Sequence, residues 1–191
     1  VAGNSRTREK RNAFTQQFGI KTYETLTEIL AMPEIEGMII TVPNEQHFTI
    51  ARQIAEAGKH VYTEKPISNI LVDGLRMEAL QKKHNVTMTV GHSARLLKGI
   101  QMMKDNLDNG SLGKLAFIEA NFSNERALEL TPDTWRWYRD RAPGGPLSQL
   151  AIHMFDILHY LGGDVAAVSS IASKLSPVGA EVDDQSMSTV R

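Results

Sequence analysis

The sequence predicts an α/β protein, a doubly wound parallel sheet followed by an incomplete α+β domain with an open sheet. Three observations predict it. The runs "GMIITVP", "AGKHVYTEKP" and "VTMTV" are continuous and apolar, as parallel strands covered on both faces should be. Helical segments separate them through short links, and strand–helix–strand order with short links implies right-handed parallel crossovers. After Gly113 the pattern changes to partial alternation, in "KLAFIEANFS", "VAAVSSIASKL" and "DDQSMSTVR".

The chain opens on "VAGNSRTREKR", without Met and as though already leaving a strand, so a fragment is expected. From Thr7 the pattern is helical, with Ala13, Phe14 and Phe18 on one face and Gly19 at the stop position. Thr25 and Glu28 have capping-box spacing for a short second helix that Pro33 ends. Helices are expected from about His47 to Ala57 and from Leu71 to His84, with a tight helix-to-strand turn at Gly58. Gly144, Gly145 and Pro146 should open a last helix running to Leu161.

Composition excludes several function classes. Across 191 residues there are 21 basic and 22 acidic side chains, a net charge of −1, so no nucleic acid or anionic membrane surface is implied and a small-molecule partner is expected. Without cysteine there is no disulfide framework or thiolate metal site, no metal is expected, and the composition is compatible with a reducing cytoplasm. No apolar run approaches the roughly 18–20 residues of a membrane span, and no signal-peptide order is present. The expected protein is soluble and cytoplasmic.

In a doubly wound sheet, ligands sit outside the carboxyl ends of the strands, where this sequence carries "PNEQH" and "TEKP". Both polar clusters therefore face one crevice. Pro43 and Asn44 turn there, and Lys65 sets an ammonium beside Glu64; a helix cap at Asn44 and a solvated Glu64–Lys65 pair are the plainer alternative. In "GGPLSQLAIHMFDILHYLGG", Gln149, His153 and Asp156 fall at i, i+4 and i+7, one polar stripe on an otherwise apolar helix. A substrate site or a buried His153–Asp156 network would each explain it. In "WRWYRDRAPGGP", Trp135, Trp137 and Tyr138 suit packing, while Arg136, Arg139 or Arg141 suits a clamp on a carboxylate or sugar oxygen.

The segment "TVPNEQHFTIARQIAEAGKHVYTEKPIS" resembles the pattern Thr-Pro-Asn, His, Ala-Gly-Lys-His-Val, Glu-Lys-Pro of the Gfo/Idh/MocA oxidoreductases, and the resemblance continues through "VGHSARLLKGIQMMKDNLDNGSLGKL" and "APGGPLSQLAIHMFDILHYLGG". It implies a Rossmann-type dinucleotide-binding domain over 1–92 and a substrate-binding and oligomerisation domain over 93–191, both partial. The family's first strand and Gly-rich loop would lie before Val1, and its open sheet would extend past Arg191. By this resemblance Lys65 lies at the nicotinamide and the reacting carbinol, Glu64 orients it or the cofactor, and a cis Lys65–Pro66 bond aims it into the cleft. Pro43, Asn44 and His47 would touch the cofactor, although His47 also reads as an ordinary helix start. His153 matches the histidine that binds or deprotonates the substrate hydroxyl in the family motif Asp-x-Gly-x-His-x-x-Asp. Gln149 and Ala151 depart from that motif, and a glutamine cannot tune His153 as a carboxylate would; Gln149 can still hydrogen-bond a sugar hydroxyl. Arg95, with His92 near it in sequence, matches a substrate- or cofactor-proximal arginine.

For the cofactor, NADP or NAD, the residues at the end of the family's second strand decide. Asn4, Ser5 and Arg6 resemble 2′-phosphate ligands more than the acidic residue that binds a free ribose, which favours NADP, and they read equally well as an N-cap before a basic helix start. The resemblance implies hydride transfer between the nicotinamide and a sugar, polyol or related compound, by a homo-oligomer. A nucleotide-sensing regulator without turnover, which loss of the motif's Asp at Gln149 would fit, and a cofactor-free fragment are the alternatives.

Overall fold

The computed structural model describes residues 1–145 and 147–191. Two parallel units lead the chain. Strand β1 (Gly3–Asn4) pairs with β2 (Thr22–Tyr23), and β3 (Gly37–Ile40), β4 (His60–Thr63) and β5 (Met88–Val90) form a three-stranded parallel sheet in the order β3-β4-β5. Parallel neighbours need a crossover. Helix α1 (Arg8–Phe18) links β1 to β2, α2 (Leu26–Leu30) lies between β2 and β3, α3 (His47–Glu56) links β3 to β4, and α4 (Leu71–His84) links β4 to β5.

Local chemistry sets these boundaries. Thr7 caps α1 by accepting from the Lys10 N–H, and Gly19 ends it at φ 66°, a conformation that only a residue without Cβ adopts cheaply. Thr25 and Glu28 form the full capping box at the start of α2. The Lys59 ammonium, on a buried side chain, donates to the carbonyls of Met32 and Ile35 and ties the start of β4 to the approach to β3.

The first core lies between the three-stranded sheet and the α3/α4 pair. Ile40 and Val61 from the sheet meet Ala51 and Ile54 of α3 and Met77 of α4, all buried. The opposite face differs from the expectation that parallel strands are covered on both sides: Ile39 is 73% exposed and Tyr62 also faces out, because α3 and α4 occupy the same side of the sheet.

Beyond β5 a short 3-10 turn (Ser93–Leu96) leads into α5 (Lys98–Asp108). The segment "KLAFIEANFS" does not form the expected strand, since its backbone finds no ladder partner among the described residues and alternation alone does not make one. Strands β6 (Val168–Ser173) and β7 (Gln185–Val190) do form, as an antiparallel pair. A second small core joins Ala142, Ala180 and Val182 under Trp135 and Trp137, so the two tryptophans serve packing. Tyr138 Oη donates to the Pro132 carbonyl.

The last helix also departs from expectation. Residues Leu147–Ala151 form a π-helical turn, and the α-helix proper, α6, spans Ile152–Gly162; Pro146, part of the expected helix start, lies outside the described residues. Gly145 precedes the π turn at φ 44°, and a Cβ there would collide with the Asp183 carbonyl. No described helix is long and apolar enough to cross a membrane.

Candidate active site

The carboxyl ends of β3, β4 and β5 converge as the sheet topology requires, and one buried histidine straps two of them together. His47 opens α3 at 0% exposure, with Nδ1 at 3.0 Å from the Pro66 carbonyl and Nε2 at 3.0 Å from the Val42 carbonyl. Those carbonyls lie just past β4 and β3. Neither ring nitrogen is left for a ligand, which corrects the expected direct contact between His47 and a cofactor. A helix-start residue whose ring turns inward is committed to the backbone.

The strap holds the turn that carries Lys65. The Lys65–Pro66 bond is cis, and the Lys65 N–H donates to Glu64 Oε2 at 3.3 Å. Lys65 Nζ then reaches across 84 residues of sequence to the backbone carbonyl of Gln149, at 2.7 Å. Burial lowers the Lys65 pKa; the Glu64 carboxylate opposes that shift and the Arg136 guanidinium adds to it. Pro43 enters a 3-10 turn (Asn44–Gln46) at the end of β3. Asn44 is 5% exposed, and its Nδ2 has no partner among the described residues.

Residues from the second half close over this turn. His153 has a buried Nδ1 without a partner and stands edge-on to Phe122, with ring centroids 6.2 Å apart. Its pKa is lowered by burial first and then by the positive charges of Lys65 and His92. Asp156 does not pair with His153. Its carboxylate takes a two-pronged bond from Arg95, with Nε at 2.9 Å, and lies 3.6 Å from His92 Nδ1. The stripe read from the sequence is thereby split. The π turn breaks the α spacing between Gln149 and His153, and Asp156 is turned to the segment after β5. Gln149 meets Lys65 through its main chain, while its amide donates weakly to Ser148 Oγ at 3.4 Å.

Three of the five arginines singled out in the sequence are committed to the protein. Arg95 holds Asp156 and stacks over Tyr160, Arg139 donates to the Glu181 carbonyl, and Arg141 pairs with Glu45 Oε1 at 2.9 Å. At the N-terminus, Asn4 Nδ2 donates to the Tyr23 and Glu24 carbonyls, so its amide nitrogen is spent on β2. Arg11 donates to the Ser5 and Arg6 carbonyls and shapes that turn, leaving the Arg6 side chain exposed. The pairs His92–Asp156, Arg95–Asp156 and Glu45–Arg141 escaped sequence reading because they join positions 61 to 96 residues apart without a local signature.

A parallel sheet with a half-buried cationic turn at its carboxyl end, faced by a histidine-bearing helix, has the architecture of doubly wound dinucleotide-binding folds. Residues 1–92 match the oxidoreductase family GFO/IDH/MocA, NAD-binding Rossmann fold, and residues 100–191 match the GFO/IDH/MocA C-terminal domain. The chain belongs to this family. It is 34% identical over 166 residues to the uncharacterized oxidoreductase sll0816 of Synechocystis, covering 85% of this chain and 43% of that relative. A crystal structure of a proposed NADPH-dependent oxidoreductase from Desulfitobacterium hafniense superposes with TM-score 0.93 at 38% identity, covering 100% of this chain and 55% of the other. Levoglucosan dehydrogenase in complex with NADH and levoglucosan superposes with TM-score 0.89 at 25% identity, over 100% of this chain and 54% of that one. The chain thus spans about half the length of the proteins it matches.

The residues fit a bound dinucleotide at the strand ends. The orphaned Asn44 amide is a buried donor that a polar group of such a ligand would satisfy, at the place where doubly wound folds hold nucleotides.

Proposed function

We propose that this chain forms the catalytic heart of an NAD(P)-dependent oxidoreductase acting on a sugar, polyol or related hydroxyl or carbonyl compound. One observation carries it: Lys65 Nζ, half-buried at the carboxyl end of β4 and held 2.7 Å from the Gln149 carbonyl, beside a histidine with an orphaned nitrogen. The nicotinamide supplies or accepts the hydride. Lys65 handles the proton: as an amine it takes the substrate hydroxyl proton during oxidation, and as an ammonium it returns one to the developing alkoxide during reduction. Its lowered pKa brings the amine form within reach at milder pH than a solvated lysine allows. His153, kept neutral by burial, holds the same hydroxyl through its free nitrogen or shares its proton.

Pro43, Asn44 and Glu64 line the cofactor side of this turn, and His47 positions it. Ser5 and Arg6 favour a 2′-phosphate and hence NADP over NAD. Sugar substrates are supported by the similarity to levoglucosan dehydrogenase. Self-association is proposed through the sheet that β6 and β7 begin, whose side chains Val168, Ile171 and Met187 are exposed.

Lys65→Ala tests the proposal in the full-length protein. Turnover should fall by about 10²–10⁴-fold, the usual scale for a positioned acid/base, while nucleotide affinity stays within a few-fold. Nucleotide fluorescence titration and absorbance at the nicotinamide band measure the two. Undiminished turnover would remove Lys65 from the chemistry.

A further inference from the structure

Arg136 is the one arginine of "WRWYRDR" without a carboxylate or carbonyl partner among the described residues, since Arg139 is bound to Glu181 and Arg141 to Glu45. Its guanidinium stacks on its neighbour Trp135, with Cζ 4.4 Å from the ring centroid, which fixes the plane of the fork while leaving its N–H donors free. Arg136 lines a pocket with Arg126, Lys174 and Gln149, over an apolar floor that includes Leu130 and Val178. Two carboxylates, Asp183 and Asp184, also border it, but Asp184 is occupied by the backbone N–H groups of Leu175 and Ser176 at 2.9 Å each. Lys174 donates to the Ala180 carbonyl. The pocket adjoins the reacting centre, because the Gln149 that lines it is the residue whose carbonyl holds Lys65.

We propose that this pocket is an anion subsite, and that the substrate is a sugar carrying a carboxylate or phosphate group that Arg136 binds while Lys65 addresses a hydroxyl carbon. The inference rests on the oxidoreductase reading and names its substrate class. Arg136 is exposed as a whole residue, yet the surrounding protein lowers its pKa by desolvation, and its guanidinium has no carboxylate bonded to it among the described residues. Its charge also helps to lower the Lys65 pKa, so the two cations repel one another. An incoming anion offsets that repulsion, and the planar fork donates two parallel N–H bonds to a carboxylate or phosphate. Arg95, Arg139 and Arg141 cannot take this role without releasing Asp156, Glu181 and Glu45.

The test is calorimetric titration of D-glucuronate, D-glucose 6-phosphate and D-glucose into the full-length protein saturated with NADPH, repeated with Arg136→Gln and Arg136→Lys. At least one anionic sugar should bind about tenfold or more tightly than glucose, the preference should shrink as salt rises, and Arg136→Gln should abolish it while Arg136→Lys keeps part of it. Which of the two anions gains distinguishes carboxylate from phosphate. No preference, whether from equal binding or from no binding by all three, overturns the proposal, and so does an Arg136→Gln variant that weakens glucose and the anions alike. The readout needs no turnover, so the two readings fail separately. An anion preference that persists where no nicotinamide nucleotide binds would leave the subsite standing and sink the oxidoreductase; nucleotide binding and neutral-sugar turnover without the preference would do the reverse.

Discussion

Lys65 and Arg6 are both cations, yet their surroundings give them different work. Lys65 is half-buried, held at one end by the His47 strap and at the other by the Gln149 carbonyl, so its side chain is fixed before any ligand arrives. Arg6 is exposed, on a turn that Arg11 shapes through the Ser5 and Arg6 carbonyls. The first geometry suits chemistry and the second suits selection of a charged group. Arg6→Ala should therefore weaken NADP by about 1–3 kcal/mol, the scale of a charge-assisted hydrogen bond, and leave NAD almost unchanged. Competitive titration of the two nucleotides measures this. Equal losses for both would reduce Arg6 to a fold residue, and a native preference for NAD would overturn the 2′-phosphate assignment directly.

At the level of elements, the π turn Leu147–Ala151 decides how the last helix addresses the site. A π segment carries one residue more per bonded loop than an α-helix, so it re-aims the side chains that follow and frees carbonyls of its own. The Gln149 carbonyl that receives Lys65 lies within this turn, and His153 enters the site from the first turn of α6. Gln149→Asp would bring a carboxylate toward Lys65 and His153, raising both pKa values and moving the pH–rate profile to higher pH, by on the order of one unit. An unmoved profile would show that the side chain points away from both groups. The turn also marks the limit of what the sequence made legible. The capping box at Thr25, the helix stop at Gly19, the bounds of α4 and the three parallel strands follow from local chemistry and were readable, whereas the first helix's cap falls on Thr7 and not on the Asn4–Arg6 stretch that offered one. The Glu-Lys-Pro turn could be placed because a strand's carboxyl end is a local feature. A π insertion has no such signature, since the same apolar pattern fits an α-helix, and the spacing Gln149–His153–Asp156 therefore promised a stripe that the backbone does not form. The long-range ion pairs, which reassign Asp156 and three arginines, depend on tertiary contact alone.

Across the whole chain, the junction between the two halves concentrates partly buried titratable groups, and this couples stability to pH. His92 and His153 both have pKa values lowered from 6.5, chiefly by burial. Around them stand Asp156 and Glu64, which oppose the shifts, and Lys65, which reinforces both, with Arg95 adding to that of His92. A base whose folded pKa lies below its unfolded value binds fewer protons folded than unfolded in the interval between them, so stability rises with pH through that interval. Above the unfolded value near 6.5 the two imidazoles are neutral in both states and impose no penalty. As pH falls below it, the unfolded chain takes up protons first and the folded state loses ground, until the penalty is complete below the folded values. Urea midpoints should therefore drop between about pH 7 and pH 5. His153→Gln and His92→Gln should each flatten that slope, because glutamine fills similar space without titrating. The Arg95–Asp156 pair gives the control: Asp156→Asn removes the anion beside His92 and should lower its pKa further, steepening the loss. Midpoints that fall equally in the parent and both histidine variants would place the acid sensitivity elsewhere, in the carboxylates, and would leave the two halves joined by geometry without a shared titration.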